Sequence, residues 1–588
     1  MKTYRQKLLF VPALLSSAFL LLLFTACGGG NSSPSSGSTK TELKPANGGE
    51  VYYGGVLKFN ELEYFRSIYP LNTGEVVGHR IGNQIYEGLL RLNQTDLSVV
   101  PCLAEKMPDI SADGKTYTFT LRKGVKFHDD PCFADGKGRE LKAADVVNWA
   151  KILHTPAPDN KGYDYFKGRI VGGDEFYKSG GKLPQGVSGV TAVDEYTVKI
   201  ELTEPLGFFN VLLTMPYAYI FPEEARQKYG ENMRIQAVGT GAFTLKTVKE
   251  NDAVLLLKNP NYWDKDANGN QLPYLDGIRV SFVKEHMAEF REFTQGKFDF
   301  MYRIPLEIAD EVTDRKGSLL SEYKKYQLQE APSMQINYYG FLTSGKIFNN
   351  KKIRLAFNYA VDRQSLADNT MKGAAMPASY GFVPPVFAGY NHKTIKGYTF
   401  DAALARKLLS EAGYPEGKGF PEITLQINSG GKRNEQLAEA VVKMLEENLG
   451  VKTKITQLPF AQHLETHEAG KVDFWRAGWV ADYPDPENFL TFLWGAHLPA
   501  DPSKPTYLNT FRWKNAEFDR IFEQAIHTTD NAQRNALYEQ ADQIIVNDAP
   551  CLLLTYSKDQ RLLQPNLRNY PQNAMEYRLF RDVYFVPQ

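Results

Sequence analysis

Apolar and polar positions alternate between strand and helix periods along most of the chain. Thr116 to Leu121 and Tyr196 to Ile200 are apolar and polar by turns, the signature of half-buried strands. Ala253 to Leu257 is a short, continuously apolar strand closed by Asn259-Pro260-Asn261. Helical spacing takes over further on. Asp401 stands where it caps a helix whose Leu404, Leu408 and Leu409 share one face, with Gly413 to end it. Asn434 to Asn448 repeats Leu437, Val441, Met444 and Leu445 at the same spacing and stops at Gly450. A strand from Val451 to Ile455 follows. Another starts at Val472, with Val472, Phe474 and Arg476 facing one way and Asp473, Trp475 and Ala477 the other. The prolines of Asp482-Tyr483-Pro484-Asp485-Pro486 remove ladder donors, so pairing stops within a residue or two of Asp482. Helices and strands alternating over short links predict an α/β fold of largely parallel sheets covered by helices. No internal repeat is seen. Asp482, flanked by Trp479 and Tyr483 at the carboxyl end of its strand, sits where open α/β sheets hold ligands.

At the amino terminus, Lys2, Arg5 and Lys7 precede an apolar run from Leu8 to Phe24 broken by Pro12, Ser16 and Ser17. With the small residues Thr25-Ala26 behind it, this run is a secretory signal over residues 1–26. Leu23-Phe24-Thr25-Ala26-Cys27 resembles the bacterial lipobox, with Phe24 where that pattern prefers Leu. The resemblance implies that Cys27 becomes the mature amino terminus and carries lipid. Residues 27–50 are rich in Gly, Ser, Pro, Lys and Thr and read as a flexible tether. The remaining stretch of over 500 residues is too long for one core, so at least two lobes are expected.

Sixty-eight basic and 68 acidic residues leave the chain neutral, and nothing in that balance points to nucleic acid. Beyond Cys27 the cysteines are Cys102, Cys132 and Cys551, an odd number for an exported protein. Cys132 lies in a turn-rich loop from which it could meet Cys102, and Cys551 sits in an apolar run that suits a buried free thiol. No CxxC pair offers a thiolate zinc site.

Four segments, in order, are spread over nearly all of the mature chain. The first runs from Ile85-Tyr86-Glu87-Gly88-Leu89-Leu90 through Leu103-Ala104-Glu105-Lys106 to Tyr117–Asp129. The second is Gly239-Thr240-Gly241-Ala242-Phe243-Thr244-Leu245 with Asn259-Pro260-Asn261-Tyr262-Trp263. The third is Ile353-Arg354-Leu355-Ala356-Phe357-Asn358-Tyr359-Ala360-Val361-Asp362-Arg363, and the fourth Arg476-Ala477-Gly478-Trp479-Val480-Ala481-Asp482-Tyr483. Together they resemble the family 5 extracytoplasmic solute-binding proteins, the peptide-binding components of ABC importers. The resemblance implies a two-lobe periplasmic-binding-protein-like α/β fold of the class II, cluster C type, closing over a ligand. Lobe I would hold residues 51–332, including an extra subdomain over about 87–217, and would take back residues 556–588. Lobe II would be residues 333–555. Pro131 to Glu140 is a departure, an added loop where the family passes directly to a helix.

By the same resemblance Asp482 pairs with a peptide's α-ammonium, Arg476 lies near the ligand, and a second basic position falls on His467. Gly74-Glu75-Val76-Val77 would give main-chain partners, with Glu75 and Val76 at the ligand, and Trp479, Val480 and Tyr483 would flank it. Tyr338 and Tyr339 match a strand near the hinge. The implied partners are a peptide, the permease subunits of an ABC importer and, through lipid on Cys27, a membrane. The protein would act as a monomer with no cofactor, and a nickel chelate or an oligosaccharide in the same fold stays open as the alternative ligand.

Signs of catalysis are missing from the sequence. His463-Leu464-Glu465-Thr466-His467 spaces two histidines as zinc ligands would need, but the glutamate stands one position too late for a zincin. Ser321-Glu322-Tyr323-Lys324 has the Ser-x-x-Lys spacing without its companion motifs, and there is no Gly-x-Ser-x-Gly elbow. The sequence reads as a binding protein and not an enzyme.

Overall fold

The computed structural model describes residues 42–158, 160–314, 317–429 and 432–587. The expected signal segment, Cys27 and the tether as far as residue 41 lie outside them. The rest of the tether is partly structured, because Lys44–Pro45 pair antiparallel with Tyr52–Tyr53.

The first half of the chain builds two four-stranded sheets among the described residues. Strand β1 (Val56–Asn60) leads to helix α1 (Val76–Ile85). Strand β2 (Thr116–Thr120), helix α2 (Ala143–Leu153) and strand β3 (Thr197–Glu201) form an antiparallel layer, with short strands at Asp109–Ile110 and Val190–Ala192 on its edges. The added loop folds back beneath this layer, and Arg139 pairs with Asp145 at 2.7 Å and Glu224 at 2.6 Å. Strands β4 (Phe243–Lys249), β5 (Ala253–Lys258) and β6 (Gly277–Ser281) run as a meander, and β6 pairs parallel with β1.

The second half is organised by a seven-stranded mixed sheet. Strand β7 (Phe300–Tyr302) enters it, followed by the long strand β8 (Gln327–Phe341). Helix α3 (Ala402–Glu411) starts at Asp401, whose side chain accepts from the Leu404 N–H at 2.9 Å. Strand β9 (Ile423–Asn428), helix α4 (Lys432–Leu449), strand β10 (Thr453–Leu458), helix α5 (Phe460–Glu468) and strand β11 (Phe474–Val480) then alternate. Helices α6 (Ala516–Ile526) and α7 (Asn531–Asp548) precede the last long strand, β12 (Cys551–Leu563). The order is β7-β12-β8-β11-β9-β10, with Ala375–Pro377 added on β12.

Parallel pairing is confined to β9 with β10 and β11, and to β6 with β1. The expectation of largely parallel sheets is therefore corrected. The meander and the β8–β12 ribbon pair antiparallel, and parallel neighbours arise from the βαβ stretch from 423 to 480 and from the long connection between β1 and β6.

Strands β8 and β12 are the two longest strands among the described residues. Their register slips between Pro332 and Ile336, opposite Lys558 and Tyr556, and again between Asn337 and Tyr338. Pro332 has no ladder donor to offer, and a bulge there bends both strands together. On one side of the bulge β7 and a small core of Phe290, Phe293, Phe298 and Leu562 cover the ribbon. On the other, Tyr339, Phe341, Phe474 and Leu552 pack on Phe357, Leu437, Val441 and Leu445 of the covering helices. Among the described residues no helix is long and apolar enough to cross a membrane.

Candidate ligand-binding site

Strand β11 is buried on both faces over its first turns. Phe474 packs against Phe341 (centroids 5.4 Å apart) and Trp475 stacks on His467 (5.6 Å, 6°). Pairing with β8 ends at Val480 opposite Gln335, just before the prolines, so Ala481 to Tyr483 leave the sheet at its carboxyl end. There the chain reaches a cavity of about 570 Å³ between the two halves of the molecule. Trp479, Val480, Asp482 and Tyr507 line it from one side, and Val76, His79, Tyr165 and Tyr217 from the other. Val76, Val480 and Tyr507 are 55%, 48% and 63% exposed, so three large apolar side chains face this one space uncovered.

Asp482 is one of three acids on the cavity, and the other two, Asp559 and Glu576, are paired with arginines. Tyr165 donates its hydroxyl to Asp482 Oδ2 at 3.3 Å, and the Asp482 N–H donates to Asn488 Oδ1 at 2.9 Å. No Lys, Arg or His pairs with it among the described residues. The carboxylate is open to the cavity, yet protein surrounds it on its other sides. That desolvation raises it to about 6, against hydrogen bonds from Asn488 and Tyr165 that hold it down. Tyr165 stacks on Tyr217 (5.0 Å), and Tyr217 meets His79 edge-on (6.2 Å), so an aromatic wall leads away from the acid along the other half.

Beyond that wall the cavity is lined by paired charges, with Arg80 and Arg303 beside Asp559 and Glu576. Arg80 donates to both oxygens of Glu61 at 3.1 and 2.8 Å and lies over the Tyr302 ring. Arg578 bridges Glu61 (3.0 Å) and Glu576 (2.6 Å), and Arg303 pairs with Asp559 (3.1 Å). Burial and the nearby Arg303 lower the pKa of Arg433, on the first turn of α4. The Arg303 and Arg433 guanidiniums thus act on one another, with Asp559 as a shared counter-charge.

Several expected site residues stand elsewhere. Arg476 is not on the cavity lining and donates to Asn428 Oδ1 at 3.1 Å, on the neighbouring strand β9. Tyr338 is buried between Phe382 (5.0 Å) and Phe511 (5.6 Å). His467 lies in the core on Trp475, and burial pushes its imidazole down to about 3, so it offers a ligand no charge. Glu75 pairs with Arg66 at 3.2 Å, and Val76 already opens α1, so strand-like main-chain pairing is confined to residues before Val76. Trp479, Val480, Asp482, Tyr483 and Val76 do meet at the cavity. Cys102 and Cys132 are free thiols, as is Cys551.

The two histidines four apart do not form a metal centre. His463 Nε2–H donates to the Arg476 carbonyl at 2.8 Å, which leaves Nδ1 to accept from Gln426 Nε2 at 2.9 Å. Both ring nitrogens are occupied. Among the described residues no group of three or more His, Cys, Asp or Glu side chains is placed to hold a metal ion.

Tyr165, Tyr217, Tyr507, Arg303 and Asn488 were not read from the sequence. The first four come from segments far from Asp482 with no local signal. Asn488 stands in the same proline turn, where an amide six residues after the acid was the available clue.

The halves touch directly as well. The Gly207 N–H donates to the Ile526 carbonyl at 3.0 Å, His527 Nδ1–H donates to the Pro205 carbonyl at 2.9 Å, and Phe208 stacks on Tyr483 (5.9 Å, 6°). A Cβ at Gly207 would lie 2.2 Å from the Thr528 carbonyl oxygen, so this approach needs glycine.

Two lobes with a solute-sized cavity between them define a two-lobe solute-binding protein. The chain belongs to the bacterial extracellular solute-binding proteins, family 5: the model described as "Bacterial extracellular solute-binding proteins, family 5 Middle" matches residues 98–497. It is 30% identical over 514 residues to heme-binding protein A of Haemophilus influenzae, covering 85% of this chain and 86% of that one. It is also 30% identical over 505 residues to the glutathione-binding protein GsiB of Salmonella typhimurium, covering 84% and 87%. Among solved structures it resembles the unliganded open form of the periplasmic murein tripeptide-binding protein MppA. The TM-score is 0.73 at 25% identity, over 92% of this chain and 98% of that one. The Helicobacter pylori periplasmic binding protein DppA in complex with the peptide STSA follows, with TM-score 0.71 at 26% identity over 91% and 98%.

Proposed function

We propose that this chain is the lipid-anchored substrate-binding component of an ABC importer, capturing peptides by their free amino end and passing them to a membrane permease. The carrying observation is Asp482, a carboxylate facing the cavity with no cationic side chain paired to it. An ammonium that leaves water as the lobes close needs a fixed counter-charge, and a neutral sugar would leave this one unmatched. Arg303, on the lining of the same cavity, supplies a guanidinium for the carboxylate of the same ligand. Relatives named for dipeptide and glutathione binding, and the peptide complex of the Helicobacter pylori protein, support this class of ligand. A cavity of about 570 Å³ falls in the usual range for small-ligand sites.

In this reading lobe I holds residues 51–332 and 556–588 with a subdomain over about 87–217, lobe II holds 333–555, and the bulge at Pro332 is the hinge. The protein acts as a monomeric carrier and hydrolyses nothing. Lipid on Cys27 holds it to the envelope, so Cys27→Ala should move it from the membrane to the soluble fraction. Retention in the membrane after signal cleavage would remove that part of the reading. Native mass spectrometry of the purified protein is the test of ligand class. Co-purifying peptide masses are the expected result, and a metal chelate or a saccharide in their place would overturn it.

A further inference from the structure

Asn488 lies just behind Asp482, 96% buried and clear of the cavity lining. Its Oδ1 accepts two hydrogen bonds at 2.9 Å, one from the Trp479 indole N–H and one from the Asp482 backbone N–H. One buried oxygen therefore ties a cavity-facing side chain of β11 to the residue that carries the acid. The turn around it is fixed separately. The Glu487 N–H donates to Asp485 Oδ1 (3.0 Å), Arg534 pairs with Asp485 Oδ2 (3.3 Å), and the Tyr483 hydroxyl donates to Glu487. Those contacts would hold the turn without Asn488. Its two acceptor bonds go to Trp479 and Asp482, and its amide also meets the Tyr483 side chain.

We propose that Asn488 is a positioning residue for ammonium recognition: its buried carboxamide sets the place of Asp482 and of the Trp479 ring beside it. This rests on the reading of Asp482 as the ammonium partner. The physical basis is preorganisation. A carboxylate that must be aligned when the ligand arrives loses affinity to that alignment, and one held in place does not. Two acceptor bonds from a single amide also couple the acid to the indole, so both move together if the amide is removed. The side chain further helps to hold the Asp482 carboxyl down, which keeps more of it ionised near neutral pH. The titratable groups facing Asp482 from the neighbouring segments are Tyr165, Tyr217 and Tyr507, all shifted above their ordinary value, so none of them titrates between pH 5 and 8.

The test uses a mixed tripeptide pool and the same pool after amino-acetylation, titrated against the full protein and its variants between pH 5 and 8. Asn488→Ala should weaken binding of the free-amine pool by roughly tenfold at pH 7, in line with loss of a charge-linked hydrogen bond. Binding of the acetylated pool should change by less than about twofold. The pH at which free-amine binding is half lost should move upward. In the Asp482→Asn background, Asn488→Ala should add almost nothing, because a residue that acts through Asp482 has no further route. Asn488→Ser keeps an acceptor in part and should lose less than Asn488→Ala, which covers the case of a poorly folding alanine variant. Equal losses for both pools, or a loss that adds fully to that of Asp482→Asn, would make Asn488 merely structural and overturn the inference. Unchanged free-amine binding in Asp482→Asn alone would remove the ammonium reading, and this inference with it.

Discussion

The hydroxyl of Tyr165 donates to Asp482 Oδ2 at 3.3 Å, joining residues 317 positions apart across the cavity. One comes from the first half of the chain and the other from the end of β11, so the acid is already met by both halves. Tyr165→Phe keeps the ring on Tyr217 and removes only the donor. Affinity for a free-amine peptide should fall by about 0.5–1.5 kcal/mol at pH 7, measured by calorimetry. An unchanged affinity would show that the phenol does not help to hold the acid.

Burial raises the Asp482 carboxyl to about 6 from an ordinary 3.8. A raised carboxyl favours the folded state below the unfolded value, and that advantage is lost as pH rises through the folded value. Ligand-free protein should therefore lose stability between about pH 4 and 6 on this residue's account, and Asp482→Asn should remove that loss. Melting temperatures at pH 4.5 and 7.5 give the check. The variant should melt at or above the native protein at pH 7.5, and a large drop would contradict the assigned shift. Ligand binding runs the other way, since acidification below about 6 neutralises the acid and should weaken free-amine peptides.

Much of the fold was legible in the chain. The Asp401 cap, the long helix ending before Gly450 and the strand that stops before Pro484 all follow from local chemistry, and the structure has them at α3, α4 and β11. Sheet direction was not legible, because a long antiparallel ribbon and a βαβ strand can show the same apolar run. Arg476, His467 and Tyr338 were misplaced for a related reason. The start of β11 and most of β8 are buried at successive positions, so alternation there does not say which face meets the cavity. Tyr165, Tyr217 and Arg303 reach the site only through tertiary folding.

Gly207 allows the turn after α6 to approach the segment at Pro205 and Phe208. Gly207→Ala would set a methyl against the Thr528 carbonyl oxygen and should hold the lobes apart without unfolding either one. Small-angle scattering at saturating peptide should then give a larger radius of gyration than the native complex. An identical radius would show that closure does not pass through this contact.

Glu61 accepts from Arg80 and Arg578, all three nearly fully buried. Glu61→Ala leaves two guanidiniums without that partner, and Arg80 then has only a longer contact to Glu576 at 3.9 Å. A loss of about 3–5 kcal/mol in urea-unfolding stability is expected. A loss below about 1 kcal/mol would mean that water or Glu576 replaces the pair.

The most direct measurement is a cycle of four titrations at pH 7.5: one peptide and its amino-acetylated form, each against the native protein and Asp482→Asn. A fixed acid that receives a desolvated ammonium predicts that Asp482→Asn weakens the free-amine peptide by about 2–5 kcal/mol while the acetylated form changes little. A coupling energy near zero, with both peptides weakened alike or neither affected, would contradict the account and return Asp482 to the role of a turn residue.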